Sequence, residues 1–472
     1  MEIRKTITDV LFGGGMRVAI RLRGLIFIPL ITSYLGVGAF GAYAQLLAIL
    51  GLLSLVFGLG LFKSLVRYGR TQSRTTDLYS SLFVASLVPS AVVAAGIFVL
   101  ARPLSEFTLQ TAKYSPAYRV GSALVVTRTL FRLGRNYFRV DSRIKLYSAL
   151  KGVRAYAMIT AVAVSVVVLG TGLQGLFAGM VLVDLLLVVG LHVRILQEIG
   201  VAVPTFTNLR QHLRYSLPLT WSSLASQINT RADRVLIGVF LGDVAVGLYA
   251  VTAQVATGIS IYVMPISQAF FPEFSKLIDE GKREQCATFL RSGIRYFSII
   301  AVPSVGGLAL VGPDLISRLT AAQVVPRPAL IAVVSIGALV VGVESIYGSM
   351  MDAAEETGKR ATYRTLGAVL NVLLNIVAIP LFGVIGAASA TAVATLIVTW
   401  LTVRQVNRII PTGVPWWTLL RCTGATGLMV AADAFFPDSI AGTILVAVPF
   451  YFTLLFLSRE LSVSELRQAW AT

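Results

Sequence analysis

Charged residues are scarce in this sequence. Only 13% of its 472 residues are Asp, Glu, Lys or Arg, whereas 56% are hydrophobic. A soluble globular protein carries roughly 25% charged residues, because they cover its surface. The shortage therefore excludes an assembly of soluble domains and indicates a membrane protein built mostly of spanning helices.

Cysteine and histidine are almost absent, which excludes several kinds of site. The two cysteines, Cys286 and Cys422, lie far apart in the sequence, and this argues against a disulfide framework. The two histidines, His192 and His212, have no cluster of carboxylates beside them that could complete a metal site. We therefore predict no metal site. We also assign no cofactor and no enzymatic activity.

Acidic residues are outnumbered, 22 against 40 basic ones, which gives a formal net charge of +18. No basic run stands on a polar segment of domain size, so we predict no nucleic-acid partner. The sequence also lacks the G-x-x-x-x-G-K-[ST] loop that binds nucleotide phosphates. A G-x-G-x-x-G match at residues 36–41 joins two apolar segments instead of a strand and a helix, so it does not indicate a nucleotide site.

Long apolar segments make up most of the chain. A membrane-spanning helix needs about 20 apolar residues. The first such segment begins without a small-residue cleavage site, so no removable signal peptide is expected. Fourteen spans are predicted, at residues 9–33, 40–62, 79–101, 120–138, 155–172, 175–193, 216–240, 246–271, 296–313, 329–351, 365–382, 384–403, 416–436 and 439–458.

The segments that connect the spans are too short to form a soluble domain. Lys and Arg are concentrated in the connecting segments on the side of both termini, and by the positive-inside rule this side is cytoplasmic. The predicted fold class is an all-α polytopic membrane protein of about 14 transmembrane helices. We expect it in the cell membrane (plasma or inner membrane), with cytoplasmic N- and C-termini.

The sequence contains an internal repeat. Residues 35–44, between the first two spans, match residues 241–250 at six positions with a constant offset of 206. Both glycines of residues 172–175 recur in residues 383–386 at an offset of 211. Each offset corresponds to six spans, an even number, so the halves run in the same direction. We predict two parallel-repeat six-helix lobes and two C-terminal helices: an N-terminal lobe at residues 1–210, a C-terminal lobe at 211–410, and the two trailing helices with a short cytoplasmic tail at 411–472.

Arginines occur inside the predicted spans. Span four carries three of them and a fourth lies just past its inner end, at spacings of four, three and four residues, which places them in one stripe on one helix face. Span one carries two more, four residues apart. Because a guanidinium group binds phosphate through two hydrogen bonds and keeps its charge at any pH, we predict that these residues bind the phosphate of a substrate in a hydrated cavity. They are Arg128, Arg132, Arg135, Arg139, Arg17 and Arg21.

A simpler interpretation of these arginines stays open. Arg17 and Arg21 would lie in the inner interface if span one began near Gly24, and the two arginines at the inner end of span four could extend toward the interface. Arg128 and Arg132 are too deep to reach it easily.

Two carboxylates lie deep in predicted spans, Asp184 in span six and Glu344 in span ten. An ionisable residue at that depth usually faces a cavity or a partner. Each could be a site of ion coupling, or the structural partner of a membrane arginine. At the outer end of span seven, Asp233 is predicted to form a local ion pair with Arg231 and Arg234.

Several segments resemble a known family. Residues 233–242 (D-R-V-L-I-G-V-F-L-G), with V-G-L-Y-A at 246–250, resemble the signature between spans seven and eight of polysaccharide transporters. Residues 375–388 and Phe271-Pro272 before a charged loop fit the same pattern. These transporters are the O-antigen-type lipid-linked oligosaccharide flippases of the multidrug/oligosaccharidyl-lipid/polysaccharide superfamily, and the likeness covers nearly the whole chain.

This resemblance implies two six-helix lobes that give alternating access to the two sides of the membrane. The usual cargo of the family is an oligosaccharide on polyprenyl phosphate or pyrophosphate, moved from the inner to the outer leaflet for cell-surface polysaccharide or glycan biosynthesis. The implied partners are this lipid-linked glycan, membrane lipids and enzymes of glycan assembly. The related lipid II flippases carry an arginine in span eight where this chain has Gln254, so that part of their site is not carried over.

Two other functions were weighed against the flippase. A multidrug or cation exporter of the same superfamily would need acidic residues on the wall of the first lobe, which is basic here. A membrane glycosyltransferase or polymerase would need carboxylates on a large outer loop, and the predicted outer loops are short with few acids. The sequence favours the flippase.

Overall fold

The structure is a computed structural model of the chain and describes residues 24–69, 75–261, 263–432, 435 and 439–461. Over these residues the regular elements are helices, and none is a strand. Helices follow from the composition, because a chain surrounded by lipid must pair its own backbone N–H and C=O groups within each segment.

The helices of the described chain differ greatly in length. In chain order they are α1 (Gly24–Leu35), α2 (Val37–Val56), α3 (Leu61–Tyr68), α4 (Thr75–Val99), α5 (Ala101–Leu109), α6 (Ser115–Val140), α7 (Ile144–Ala163), α8 (Gly172–Ile199), α9 (Leu209–Ala256), α10 (Val263–Asp279), α11 (Arg283–Leu319), α12 (Pro328–Ala353), α13 (Thr357–Ile409), α14 (Trp416–Ala431) and α15 (Ile440–Leu457). A π-helical turn, Val164–Val168, follows α7, and a 3-10 turn, Thr257–Ile261, follows α9.

Nine of the described helices are long and apolar enough to cross a membrane. Two of the nine, 51 and 53 residues long, are bent at Gly242 and Gly383, and each of them contains two spans. Helix α6, which carries the arginine stripe, and the shorter helices α1 and α14 account for the other predicted spans. The prediction of an all-α polytopic membrane protein with about 14 transmembrane helices is confirmed.

Large apolar side chains are exposed on the outside of many spans. Examples are Val92 on α4, Leu186 on α8, Leu381 on α13 and Leu445 on α15. Leaving apolar surface in water costs about 25 cal/mol for each Å². The cost disappears when lipid acyl chains cover this surface, so the exposed faces are those that a membrane solvates.

The repeat in the sequence is also a repeat in backbone conformation. Gly36, between α1 and α2, has φ 88° and ψ 164°, and its counterpart Gly242 has φ 79° and ψ −172°. Gly172 and its counterpart Gly383 have φ values of 64° and 62°. Side chains disfavour this left-handed region, so glycine is required at the bend between consecutive spans.

Contacts within the chain define two compact units, Met1–Ala250 and Val251–Thr472. The core of the first unit packs α3, α4, α6 and α8 around large side chains that include Tyr79, Leu133 and Ile195. These units are defined by contacts and not by the sequence repeat, so the predicted lobes at 1–210 and 211–410 stay a prediction.

The two copies of the glycine motif cross each other inside the first unit. A Cβ atom added at Gly41 would overlap the backbone oxygen of Asp243, and one added at Gly247 would overlap the backbone oxygen of Val37. Beside the crossing, the Tyr114 hydroxyl donates a 2.6 Å hydrogen bond to the Asp243 carboxylate. The small residues therefore let the two helices approach to backbone contact.

A buried carboxylate joins three helices of the second unit. Glu460, just beyond α15, accepts hydrogen bonds from Thr418 Oγ1 at 2.7 Å, Arg295 Nε at 2.8 Å and Arg421 Nη1 at 3.0 Å. Its side chain is only 4% exposed. Burial acts to raise the pKa of Glu460, but these hydrogen bonds outweigh it and hold the pKa below its ordinary value. The end of α15 is thereby fixed to α11 and α14.

Candidate functional site

The arginine stripe of α6 faces a cavity of about 370 Å³ inside the first unit. Arg128, Arg132 and Arg135 line this cavity, since spacings of four and three residues keep them on one helix face. Arg139, one turn further, is exposed at the end of α6 and is not among the residues that line the cavity. The other two predicted residues, Arg17 and Arg21, lie outside the described residues.

Three further helices complete the wall of what we call the basic cavity. Helix α7 contributes Arg154, and α9 contributes Gln227 and Arg231, one turn apart. The remaining lining residues are Leu47, Gly51 and Ser54 of α2 and Phe131 of α6. Five arginines from three helices, α6, α7 and α9, therefore meet around one space.

Positive charge exceeds negative charge at this cavity. Arg154 forms a bidentate pair with the buried Asp184 of α8, Nε to Oδ1 at 2.6 Å and Nη2 to Oδ2 at 2.8 Å. Within the described part of the chain, no carboxylate lies within 4 Å of the other four guanidinium groups. The Nε atoms of Arg128 and Arg135 are buried without a hydrogen-bond partner among the described residues. Such groups are costly to bury, and an anion in the cavity would satisfy them.

Aromatic rings hold several of these guanidinium groups in place. Arg135 lies 4.8 Å from the ring centre of Tyr147, Arg154 lies 5.2 Å from Phe131, and Arg132 lies 5.6 Å from Phe62. A ring face attracts a cation without neutralising it. The arginines are thus positioned while their charge stays available to a ligand.

The charge of Arg132 in the basic cavity acts on Lys63 of the short helix α3. Lys63 on this helix donates hydrogen bonds to the Leu219 carbonyl at 2.5 Å and to Ser223 Oγ at 2.7 Å. Burial and the nearby Arg132 guanidinium lower the pKa of Lys63 to about 8. The charged form of Lys63 is therefore less stable here than it would be in water.

The structure contradicts the expected ion pair between Arg231 and Asp233. The Asp233 carboxylate accepts hydrogen bonds from the Tyr249 hydroxyl at 2.5 Å and from the Arg234 backbone N–H at 2.7 Å. Arg231 instead donates to the Leu47 carbonyl of α2 at 3.3 Å. The reason is helical geometry, because residues two apart on a helix lie about 200° apart and face opposite sides.

Glu344 lies in the second unit. We call the group formed by Glu344, Asp352, Arg360 and Arg364 the Glu344 cluster. The Glu344 carboxylate is 3.4 Å from Arg360 Nε and 3.2 Å from Arg364 Nη2. Arg360 also pairs with Asp352. Two carboxylates and two guanidinium groups thus neutralise one another between α12 and α13.

The second unit also contains an apolar cavity of about 520 Å³. It lies among α11, α14 and α15, and its wall includes Ile299, Pro303, Met429 and Val448. An acyl chain or other apolar group suits such a lining, whereas an anion does not.

Comparison with known proteins identifies the family. The sequence profile of the polysaccharide biosynthesis protein family matches residues 32–326, which is more than half of the chain. The chain belongs to this family. The matched region contains all of the residues that line the basic cavity.

Two curated relatives come from Haloferax volcanii. The chain is 26% identical to the probable flippase AglR over 409 residues, which cover 84% of this chain and 83% of that protein. It is 21% identical to the probable low-salt glycan biosynthesis flippase Agl15 over 393 residues, which cover 81% and 78%. Both likenesses extend over most of the chain.

The fold resembles that of a solved transporter. The lipid II flippase MurJ, in its inward closed conformation, superposes with a TM-score of 0.77 over 96% of this chain and 99% of that chain. Only 16% of the aligned residues are identical, so this likeness shows the fold of the family member and not its substrate.

Two residues of the basic cavity, Arg154 and Arg231, are absent from the site predicted from the sequence. Arg154 precedes the predicted fifth span by one residue and was counted with a loop, whereas α7 begins ten residues earlier, at Ile144. Arg231 was assigned to Asp233. The signal that could have found it is the spacing of two residues, which separates the two side chains on a helix.

Proposed function

We propose that the protein is a flippase for a glycan carried on a lipid phosphate or pyrophosphate, and that the basic cavity binds the phosphate. The observation that carries this proposal is the excess, among the described residues, of four guanidinium groups over carboxylates in one cavity between helices. The relatives support it, since both are named as probable flippases and one is named for glycan biosynthesis.

Guanidinium groups suit this substrate for a geometric reason. Each presents parallel N–H donors that match two oxygens of a phosphate group. In a cavity of low dielectric constant these contacts are stronger than in water. The buried Nε atoms of Arg128 and Arg135 would gain an acceptor when the phosphate binds. The apolar tail would remain in the bilayer, where it costs nothing to solvate.

In this proposal the substrate moves from the inner to the outer leaflet of the cell membrane, and both termini lie in the cytoplasm. The lobes at residues 1–210 and 211–410 would alternate in opening the site to each leaflet. An inside-negative potential favours outward movement of an anion by about 2.3 kcal/mol per charge for each 100 mV. Flipping that is unchanged after the potential is collapsed would contradict this contribution.

The carboxylates have a structural role in the same proposal. Asp184 and Glu344 already pair with arginines of neighbouring helices, and a paired carboxylate is a poor carrier for a coupling ion. The excess positive charge also disfavours the alternative of a multidrug or cation exporter, because it repels a cationic substrate.

The decisive experiment compares flipping by vesicles that contain wild-type protein or the Arg128→Ala/Arg132→Ala variant. The substrate is a fluorescent glycan on polyprenyl pyrophosphate. Each lost charge-assisted contact costs about 1.5–3 kcal/mol, so we expect flipping to fall more than tenfold. Arg102→Ala is the control, because Arg102 is an exposed arginine paired with Glu106.

Thermal unfolding of each variant checks that the fold is intact. Unchanged flipping by the double variant would remove the phosphate from the basic cavity. Failure of the wild type to flip this glycan, together with export of a cationic dye, would replace the flippase by the exporter.

A further inference from the structure

A glycine of α2 lies directly against an arginine of α9 in the basic cavity. A Cβ atom added at Gly51 would overlap the Nη1 atom of Arg231 and would lie 3.4 Å from its Cζ atom. The same Nη1 atom donates to the carbonyl of Leu47, one turn earlier on α2. The Arg231 guanidinium therefore occupies a notch on α2 that exists because residue 51 has no side chain.

Glycine is an unfavourable choice at this position for the helix itself. Gly51 lies inside α2, several residues from either end, and is buried. Glycine in a helix interior lowers the folding equilibrium of the helix by about fivefold relative to alanine. Its presence here needs a reason other than helix formation, and its nearest neighbour is a residue of the cavity wall.

We propose that Gly51 is a positioning residue for Arg231, and that Arg231 is the guanidinium group that α9 contributes to the phosphate site. The proposal rests on the proposed function and deepens it. Arg231 faces the cavity together with Gln227, one turn earlier on α9, whereas the other unpaired arginines come from α6. An anion in the cavity is thus held from two helices, and a shift of about 1 Å in one guanidinium group weakens such binding strongly.

The atoms around Gly51 distinguish positioning from packing. At Gly41 and Gly247 an added Cβ atom would meet backbone atoms, which can move only if a helix moves. At Gly51 the atoms within reach belong to the end of the flexible Arg231 side chain. A methyl group at position 51 therefore displaces the guanidinium group and leaves the helices in place.

The test measures binding of inorganic pyrophosphate to the purified full-length protein in detergent, by calorimetry. The variants are Gly51→Ala, Arg231→Gln and the double variant. Gly96→Ala is the control, because Gly96 lies inside α4 and a Cβ atom there meets nothing within 4 Å. We expect Gly51→Ala and Arg231→Gln each to weaken pyrophosphate binding about tenfold. The double variant should bind no more weakly than Arg231→Gln, because both changes remove the same contact.

The thermal unfolding temperature separates this role from a structural one. Gly51→Ala should unfold at or above the wild-type temperature, as Gly96→Ala should. Wild-type binding in Gly51→Ala, additive losses in the double variant, or failure of Gly51→Ala alone to fold would each overturn the proposal. If the wild type binds neither pyrophosphate nor inorganic phosphate, the phosphate site itself is wrong, and the role of Gly51 fails with it.

Discussion

The basic cavity and the Glu344 cluster both bury arginines among membrane helices, but their charge balance differs. In the Glu344 cluster two carboxylates face two guanidinium groups. In the basic cavity, counting only residues that the structure describes, five guanidinium groups are accompanied by one carboxylate, Asp184, which pairs with Arg154. Burying a charge without a partner costs several kcal/mol. The Glu344 cluster supplies its own partners, whereas the described residues of the basic cavity do not. Under the proposal above, an anionic substrate supplies the missing partner, and charge imbalance is what distinguishes the two regions.

The apolar cavity extends this comparison. It is larger than the basic cavity, about 520 Å³ against about 370 Å³. Volume alone would favour it as the site of the phosphate group. The chemistry of the lining decides otherwise, because apolar side chains offer an anion no hydrogen-bond donors.

The largest effect is expected from a substitution that breaks the charge balance of the Glu344 cluster. Glu344→Ala leaves Arg360 and Arg364 without this carboxylate, and breaking a buried ion pair costs about 3 kcal/mol. We expect the thermal unfolding temperature in detergent to fall clearly. Glu280→Ala, at an exposed glutamate paired with Lys282, is the control. Equal stability of the two variants would mean that the cluster does not hold α12 and α13 together.

A smaller effect of opposite sign is expected in the basic cavity. Arg128→Leu removes one of several like charges, so the free energy of unfolding should stay the same or rise by on the order of 1 kcal/mol. Flipping should nevertheless be lost. Thermal unfolding compares this variant with Arg360→Leu, which removes a balanced charge and should destabilise. The comparison between the two regions fails if both variants lose the same stability.

The smallest expected effect is a loss, at acidic pH, of the stability that Glu460 contributes. The pKa of Glu460 lies below the ordinary value of 4.5, so its contribution to stability is full above that value and is lost as the pH falls through the lower, folded-state pKa. Unfolding temperatures of the wild type and Glu460→Gln, measured from neutral pH to about pH 3, should therefore converge in acid. Parallel curves would contradict the prediction.

Much of the fold could be predicted from local features of the sequence. Apolar segments long enough to cross a membrane predicted the helices, and the repeated glycines that the sequence places between spans lie at the bends at Gly242 and Gly383. The arginine stripe was also local, since three side chains on one helix face must point the same way. Such features depend on residues a few positions apart, so one sequence is enough to find them.

The partners of buried charges could not be predicted in the same way. Arg154 and Asp184 are 30 residues apart, and Arg231 meets the Leu47 carbonyl 184 residues away. These contacts depend on how helices pack and turn against one another, which hydrophobic pattern specifies only weakly when lipid surrounds the chain. The sequence therefore indicated the arginine wall of α6 but not the helices that complete the cavity.

The crossing at Gly41 and Gly247 restricts how far the sequences of the two repeats can diverge. After a duplication, most paired positions can diverge. Phe27 and Asp233 are equivalent positions of the two copies, as are Tyr43 and Tyr249. Tyr43 stacks on Phe27 at 5.8 Å, whereas Tyr249 donates its hydroxyl hydrogen to Asp233. The two glycines have no such freedom, because each lies against main chain that the other copy supplies. Main chain cannot be replaced by something smaller, so a mutation in one half could not be compensated by a second mutation in the other.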